Sequence, residues 1–296
     1  MHSNSVCIAC LANKQEVKIK KFKDSNRKAE YMDMVQNLLE KYGYSESSPW
    51  LAEKLDVLFS EYWNEEENFA DIKHSYNSLL LSKEDSIIEK INASEDPIRE
   101  CIKYVCAANY IDFSAVENVN EKTFEALLKK AEDENVSDEE LKLFKKDLMD
   151  AKTLVYLTDN CGEVVLDKIF MKFLMKANPE LKIKVIVRGK DVINDATMVD
   201  AKEVGLTDIV ECIGNGNAAP GSVLSRFSKE ALETLKSADM AIAKGQGNFE
   251  GLYGENINPY FLFLCKCTLF QQRFGLAQYS SVFSKEERIK CRESIK

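Results

Sequence analysis

The chain has 296 residues, about twice the length of a typical domain, and 45% of them are hydrophobic, so it can bury a substantial core. Its 40 basic and 49 acidic residues give a net charge of −9, which argues against an electrostatic grip on nucleic acid or on an anionic membrane. The chain has two histidines, His2 and His74, which excludes a histidine-rich zinc centre and leaves only His74 for a Ser-His-Asp triad. An enzyme of this composition would therefore use carboxylates, amides, lysines or cysteines.

The start of the chain shows no basic stretch followed by an apolar run, so we predict no secretory signal. The longest strongly apolar stretch, 260–265, is far shorter than the roughly 20 residues that span a bilayer. We therefore expect a soluble, cytoplasmic protein.

The nine cysteines are irregularly spaced, and in a reducing compartment most of them are expected to be small buried hydrophobes. Cys7 and Cys10 form a CxxC, and Cys265 and Cys267 form a CxC. A CxxC is at most half of a four-ligand zinc site unless the two pairs meet in space. We expect instead that the thiols of Cys7 and Cys10 lie on the buried face of a first helix.

The first half of the chain is predicted to be helical. Of the 12 glycines, only Gly43 lies before residue 160, and apolar residues in this half recur at helical spacing. Ser137 and Glu140 form a capping-box pattern at one helix start, and Asp96-Pro97 begins another. The predicted helices cover roughly 7–22, 26–41, 50–63, 71–93, 97–108 and 121–133, and one more follows Ser137.

The second half alternates β-rich and helical segments. Helical patterns cover 163–176, 196–204 and 228–237. Asn178-Pro179 ends the first of these helices, and Gly205 ends the second. Such alternation predicts a parallel sheet with helices on both faces. We therefore divide the chain into a helical region, 1–150, and an α/β core, 151–296. The predicted strands are 153–158, 183–188, 208–213 and 239–243.

Ligands of an open parallel sheet bind outside the carboxyl ends of its strands, so the loops that follow the four predicted strands should meet at one edge. These loops begin at Asp159, Gly189, Gly214 and Lys244. Asp159, Asn160 and Asp195 offer oxygen ligands of the kind that Mg²⁺ or Mn²⁺ prefers. Unpaired amides at the helix starts after Asn160 and Asp195, together with Lys244, would favour phosphate. These groups together predict a phosphoryl-transfer site.

Each of these residues also has an ordinary explanation. Asp159 and Asp195 could simply cap the next helix, and Lys244 could be a solvated charge. Gly214-Asn215-Gly216-Asn217 could be a flexible turn. The convergence of four loops on one edge favours the site.

Four stretches carry a resemblance to a known family: Asp159-Asn160-Cys161-Gly162-Glu163, Val187-Arg188-Gly189, Ile193-Asn194-Asp195-Ala196-Thr197 and Lys244-Gly245-Gln246-Gly247-Asn248-Phe249-Glu250. In these stretches the sequence resembles the metal-dependent damage-control phosphatases, also known as domain of unknown function 89 and as acidic-residue methyltransferase-like proteins. Weaker matches are Asn109-Tyr110-Ile111-Asp112-Phe113, Pro220-Gly221-Ser222 and Lys266-Cys267, and the Cys7–Cys10 CxxC resembles the prokaryotic branch.

The resemblance implies a three-layer α/β/α sandwich with a mainly parallel sheet, preceded by an all-helical region. It implies that Asp159, Asn160 and Asp195 bind a divalent metal (Mn, Mg, Co or Ni) and that Lys244 contacts the substrate phosphate. Asp159, Asp195 and Lys244 are therefore the candidate catalytic residues. Family members hydrolyse phosphate esters of small metabolites, including sugar phosphates and phosphopantetheine-type compounds. The candidate substrate-binding residues are Glu163, Arg188, Asn194, Gly221, Asn248 and Glu250.

The chain departs from the family pattern at Cys161, where alanine is usual, at Ala108, where glycine is usual, and at Phe69-Ala70-Asp71, where Asp-Pro-aromatic is expected. None of these positions is a proposed metal ligand, so they affect the substrate more than the chemistry. Asn109 and Asp112 could reach over the site or, as we slightly favour, end a helix. Arg188 could bind the substrate phosphate or pair with a nearby acid.

Two other functions remain as alternatives to metal-dependent hydrolysis of a phosphomonoester. An S-adenosylmethionine-dependent carboxyl methyltransferase usually has a glycine-rich turn after the first strand, where this chain has one glycine and two acids. A non-catalytic module for binding metal or phosphate would be marked by loss of the acidic ligands, which are present. We predict a small phosphorylated metabolite as the partner, with no nucleic acid and no membrane. The sequence does not predict the oligomeric state.

Overall fold

The computed structural model describes residues 1–109 and 121–290. Asp112 and the rest of the 110–113 stretch lie outside these residues. The helices that precede the first strand are α1 (Ser5–Lys18), α2 (Ser25–Tyr42), α3 (Ser48–Trp63), α4 (Ala70–Leu81), α5 (Glu84–Ala93), α6 (Pro97–Ala108), α7 (Glu121–Asp133) and α8 (Asp138–Asp150).

The rest of the described chain alternates strands and helices around one mixed sheet. The strands are β1 (Thr153–Leu157), β2 (Lys182–Val187), β3 (Glu211–Gly214), β4 (Met240–Lys244), β5 (Tyr260–Leu264) and β6 (Ser281–Lys285). Their order is β3-β2-β1-β4-β5-β6; β6 pairs antiparallel with β5, and the other neighbours are parallel. The helices between them are α9 (Glu163–Ala177), α10 (Met198–Glu203), α11 (Lys229–Lys236), α12 (Gly245–Leu252) and α13 (Thr268–Phe274).

The side chains of each strand alternate between two hydrophobic layers, as the period of a β-strand requires. In β1, Tyr156 packs with helices α4 to α10, whereas Leu157 packs with α11 to α13. The sheet is thus covered on both faces, and the predicted α/β/α sandwich is confirmed.

Helices α1 to α3 bury a core of their own, which includes Leu11, Tyr31 and Leu55. Helices α4 to α8 instead share one hydrophobic cluster with α9 and the sheet. This cluster crosses the proposed boundary at residue 150, and the division into 1–150 and 151–296 stays a prediction.

Several predicted elements differ from the observed ones. Strands β5 and β6 were not predicted. The short apolar run of β5 has no alternation that would distinguish a strand from a buried helix segment, and β6 has only two apolar residues. The predicted helix over 71–93 is broken after Leu81. Ser137 accepts from the amide of Glu140, as the capping box requires, but the Glu140 carboxylate binds Arg288 and the amide of Lys285. That capping box is therefore only half formed.

The expectation for the first cysteine pair is correct for one residue. Cys7 is buried in α1, whereas Cys10 is exposed on the same helix. Among the described residues, no helix is both long enough and apolar enough to cross a membrane.

The strand order reverses between β1 and β4, so the crevice at their carboxyl ends is the expected ligand site of this sheet. Asp159 follows β1 by two residues, and Lys244 is the last residue of β4.

Candidate active site

The loops after β1 and β2 are held together by backbone hydrogen bonds. The amide of Ala196 donates to the carbonyl of Asp159 (2.7 Å), and the amide of Cys161 donates to the carbonyl of Asn194 (2.8 Å). Asn160 and Asp195 form an isolated antiparallel bridge. This pairing brings the three predicted metal ligands to one place, although Asn160 and Asp195 are 35 positions apart in the chain.

Arg188, at the end of β2, is fully buried against these acids. Its Nε donates to Asp195 Oδ2 (2.6 Å), and its Nη1 donates to Asn248 Oδ1 (3.0 Å). Its Nη2 lies 3.8 Å from Asp159 Oδ1 and has no hydrogen-bond acceptor among the described residues. Arg188 therefore pairs with an acid and also keeps one buried donor group unused.

Asn248 joins the loops after β1, β3 and β4. Its Nδ2 donates to the carbonyls of Thr158 (3.0 Å) and Lys244 (2.6 Å). Its Oδ1 accepts from Ser222 Oγ (2.8 Å) as well as from Arg188. Since all four hydrogen bonds are made within the protein, Asn248 positions Arg188 in this state.

Lys244 is fully buried and bound by two buried carboxylates of α9. Its Nζ donates to Glu163 Oε1 and, at 3.1 Å, to Asp167 Oδ1. Burial opposes the charged form of the lysine, but Asp167 and Glu163 raise its pKa above the ordinary value. The two carboxylates therefore favour the charged form of the buried Lys244.

Glu163 connects Lys244 to the predicted metal ligands. Its Oε2 accepts from Asn160 Nδ2 (3.2 Å) and from Asn109 Nδ2 (3.1 Å). The amides of Asn160 and Asn109 also donate to Asp159 Oδ2, at 2.9 and 3.1 Å. Asn109 does end α6, as we favoured, but its side chain also reaches into the site.

The expectation of unpaired helix-terminal amides is wrong at both predicted helix starts. Before α9, Gly162 N–H donates to Asn77 Oδ1 (2.6 Å), and Glu163 N–H donates to the carbonyl of Cys161 (2.7 Å). Before α10, Thr197 N–H donates to Asp200 Oδ2 (2.8 Å), and Thr197 and Asp200 form a complete capping box. The protein uses these amides to fix its own loops, so they are not free to bind a ligand at these two helix starts.

Burial and mutual repulsion raise the pKa values of the acids. Burial, followed by Glu163 and Asp195, raises the pKa of Asp159 to about 7. Burial raises the pKa of Asp167 to about 6, with Lys244 opposing the shift and Glu163 adding to it. Burial also raises the pKa of Asp195, although Arg188 opposes it. The two cations thus leave part of the negative charge uncompensated.

The charge count of this cluster fits a divalent cation. Two buried cations, Arg188 and Lys244, face four carboxylates, so the cluster carries a formal charge of −2; the carboxylates are Asp159, Glu163, Asp167 and Asp195. Over residues 1–109 and 121–290, no three His, Cys, Asp or Glu side chains are grouped to hold a metal. The predicted set differs in kind, since it combines two carboxylates with the Asn160 amide, and oxygen donors of this type suit Mg²⁺ or Mn²⁺.

A cavity of about 410 Å³ lies beside these loops, between α1, α3 and the C-terminal half of α12. Ile193 and Pro220, which line it, adjoin the predicted substrate residues Asn194 and Gly221 in the chain. Glu250 also lines it and is separate from the carboxylate cluster; burial raises its pKa, and its carboxylate accepts from Gln246 (2.8 Å). The predicted site residues therefore form two groups, a charged cluster and an adjoining cavity.

Comparison with known proteins places the chain. Residues 3–282 match the family described as the damage-control phosphatase ARMT1-like domain. The chain belongs to this family.

Its relatives share most of its length. An uncharacterized protein of Methanocaldococcus jannaschii is 30% identical over 79% of both chains. Damage-control phosphatases of Archaeoglobus fulgidus and Pyrococcus horikoshii are 27% and 29% identical, over 81% and 88% of this chain and 83% and 90% of theirs. The crystal structure of a DUF89 family protein from Pyrococcus horikoshii superposes with a TM-score of 0.83 at 26% identity, covering 97% of this chain and 99% of that one. Membership of the damage-control phosphatase family supports a phosphatase function.

The family resemblance was detected from the loop motifs, but those motifs missed residues that support them. Tyr156 and Asp167 contact each other beside Lys244, and Asn77 binds the loop before α9. One signal was available in the sequence: Asp167 follows Glu163 by four residues, so both lie on the same face of a helix. Asn77 carried no such signal.

Among the residues that the structure describes, the two cysteine pairs do not come together as a group that could hold a metal. Burial raises the pKa of Cys267. The association of the CxxC with the prokaryotic branch stays a prediction.

Proposed function

We propose that this protein is a divalent-metal-dependent phosphatase that hydrolyses phosphomonoesters of small metabolites. The observation that carries the proposal is the buried cluster at the β1–β4 crevice, where four carboxylates exceed two cations by two charges. A divalent cation would neutralise this excess. The cations of the same cluster suit the anionic phosphoryl group that such a metal would bind.

Asp159, Asn160 and Asp195 would hold the metal through oxygen atoms. When bound, the metal supplies a Lewis acid for the phosphoryl oxygens and lowers the pKa of a water molecule. Arg188 holds Asp195 by its Nε, and Asn109 holds Asp159 by its amide, so both carboxylates are oriented in advance. This preorganisation reduces the reorganisation needed during the reaction.

Arg188 and Lys244 would stabilise the charge of the phosphoryl group. The unused Nη2 of Arg188 is a donor suited to a phosphoryl oxygen. Lys244 has three N–H groups, of which Glu163 and Asp167 accept two. Because Lys244 is fully buried and Glu163 links it to the predicted metal ligand Asn160, we expect the phosphoryl group to reach the ammonium in place of Glu163.

The cavity beside Ile193 and Pro220 would receive the organic part of the substrate. Its volume of about 410 Å³ falls within the range of small-molecule sites, roughly 300–1,000 Å³. Lys18 in its wall is already paired with Asp56 and Glu67, both at 2.9 Å. The remaining charges, Lys14 and Glu250, are of opposite sign. The cavity therefore suits an uncharged organic group, such as that of a sugar phosphate or a phosphopantetheine-like compound.

The test is release of inorganic phosphate from a panel of sugar phosphates, phosphopantetheine and related esters with Mg²⁺, Mn²⁺, Co²⁺ or Ni²⁺. Asp159→Asn and Asp195→Asn should each lower kcat/KM by about 100-fold or more, since each removes a metal-binding charge. The matched control is Asp191→Asn, which removes an 81% exposed carboxylate from the same loop and should change kcat/KM less than about twofold.

Full activity in both site variants would sink the assignment. S-adenosylmethionine binding in calorimetry, together with no phosphate release from the panel, would favour the methyltransferase alternative.

A further inference from the structure

Lys244 has two carboxylate partners with different surroundings. Glu163 also binds Asn160 and Asn109, and so belongs to the predicted metal site. Asp167 lies one helical turn further along α9, and within residues 1–109 and 121–290 its hydrogen bonds go to Tyr156 and Lys244 and not to a predicted metal ligand. Its Oδ1 accepts from Lys244 (3.1 Å) and from the hydroxyl of Tyr156 (2.6 Å).

This second contact is costly to the fold. Tyr156, Asp167 and Lys244 are all fully buried, and Asp167 Oδ2 has no hydrogen-bond partner among the described residues. A buried ion pair often contributes less stability than apolar residues of the same size, and an unpaired carboxylate oxygen adds a further penalty. Stability alone therefore does not account for Asp167.

Its place in the fold suggests what it does. Tyr156 lies on β1 and Lys244 ends β4, the two adjacent strands at which the sheet order reverses. Asp167 reaches both from α9, so the three side chains join both strands of the crevice to one helix. Asp167 thus gives the Lys244 ammonium a second acceptor, besides Glu163, that joins it to Tyr156.

We propose that Asp167 and Tyr156 are positioning residues that keep the Lys244 ammonium in place while Glu163 exchanges its contact for a phosphoryl oxygen. The inference rests on the proposed function, and it adds the residues that make Lys244 available to substrate. With Asp167 as a second acceptor, loss of the Glu163 contact leaves a buried cation that is still paired. Without Asp167, Lys244 and Glu163 form a closed pair with which phosphate must compete.

A second Tyr–Asp–Lys set elsewhere in the protein provides the control. Asp147 accepts from Tyr260 (2.8 Å) and from Lys285 (2.8 Å), and these residues lie on α8, β5 and β6. None of them belongs to the predicted site. Substitutions there remove the same kinds of contact without touching Lys244.

The experiment compares Asp167→Asn and Tyr156→Phe with Asp147→Asn and Tyr260→Phe in the Mn²⁺-loaded protein. Calorimetry measures the affinity for inorganic phosphate and for Mn²⁺, and steady-state kinetics measure kcat and KM. We expect Asp167→Asn to weaken phosphate binding and raise KM about tenfold, and Tyr156→Phe about threefold, with Mn²⁺ affinity unchanged. The double variant should cost less than the sum of the two, since the residues act as a unit. The controls should lower Tm alone.

Phosphate affinity equal to wild type in both site variants would overturn the inference, as would wild-type protein that binds no phosphate. Should Asp167→Asn not fold, Tyr156→Phe alone carries the test, because it removes a single hydroxyl. If the wild-type protein binds phosphate but hydrolyses no ester of the panel, the proposed function fails, while the phosphate affinities still decide the role of the pair.

Discussion

At the scale of single residues, Gly245 sets the position of Asp159. It follows Lys244 with a φ of +80°, a left-handed conformation that favours glycine. A Cβ at this position would overlap both carboxylate oxygens of Asp159. Because Gly245 has no side chain, the backbone at the end of β4 can lie against the carboxylate of Asp159, the first predicted metal ligand. Any other amino acid at position 245 would place a Cβ where this carboxylate lies.

Gly245→Ala should therefore displace the Asp159 carboxylate and lower kcat/KM by about 100-fold, measured on the preferred ester of the panel. The control is Gly254→Ala, which has a φ of +87° and no atom within 4 Å of the added methyl. Both variants should lose about 1 kcal/mol of stability from the left-handed backbone. Equal activity of the two variants would contradict this role for Gly245.

At the scale of elements, α4 holds both loops that carry the predicted metal ligands, through Asn77. Its Oδ1 accepts from Gly162 N–H (2.6 Å), and its Nδ2 donates to Asp200 Oδ1 (3.0 Å). Asp200 in turn caps α10 and binds Lys73 of α4 at 2.7 Å. One buried amide thus joins the loop before α9 to the loop before α10.

Replacement of Asn77 by alanine should leave the Gly162 amide without its acceptor and remove the donor to Asp200 Oδ1, costing about 2 kcal/mol in the free energy of unfolding. It should also weaken Mn²⁺ binding about tenfold, because the two loops supply the proposed ligands. Urea unfolding and calorimetry measure the two effects.

The control is Asn178→Ala, since Asn178 is likewise buried and its amide donates to the carbonyls of Leu148 (2.8 Å) and Ala151 (2.9 Å), away from the site. It should lose similar stability and keep its Mn²⁺ affinity. If both variants bind Mn²⁺ equally well, α4 has no part in metal binding.

At the scale of the whole molecule, the buried charge cluster links stability to pH. The pKa of Asp159 is raised to about 7 and that of Asp167 to about 6, both chiefly by burial. Unfolded aspartates titrate near 4, so between about pH 4 and 7 the folded protein binds more protons than the unfolded chain. Stability that depends on this protonation is present at low pH and lost as the pH rises through the folded pKa values.

The free energy of unfolding of the metal-free protein should therefore fall by about 1–3 kcal/mol between pH 5 and pH 7. Urea unfolding in the presence of a chelator measures it. Saturating Mn²⁺ should reduce the fall, because bound metal replaces protons as the compensating charge. A metal-free protein that gains stability over this range would rule out the uncompensated charge.

Local patterns predicted much of the fold, and they predicted which loops would meet at the candidate site. Strands of buried Val and Ile, the Asn178-Pro179 stop and Gly205 beyond α10 depend on residues a few positions apart. Strand β5 was missed, since its five residues are all buried and show no alternation. The Ser137–Glu140 box was half wrong because Arg288, 148 residues away, binds the glutamate. Contacts over such distances depend on packing, which local periodicity does not encode.

The sequence alone determined the family, the helix–strand alternation and the loops that would carry the site, because propensity, periodicity and the loop motifs are properties of neighbouring residues. The tertiary structure decided how the charges are shared. It directed Arg188 to Asp195, placed Lys244 between Glu163 and Asp167, and used the helix-terminal amides inside the protein. These outcomes depend on burial and on which charges meet across the sheet, and both are set only when the layers pack together.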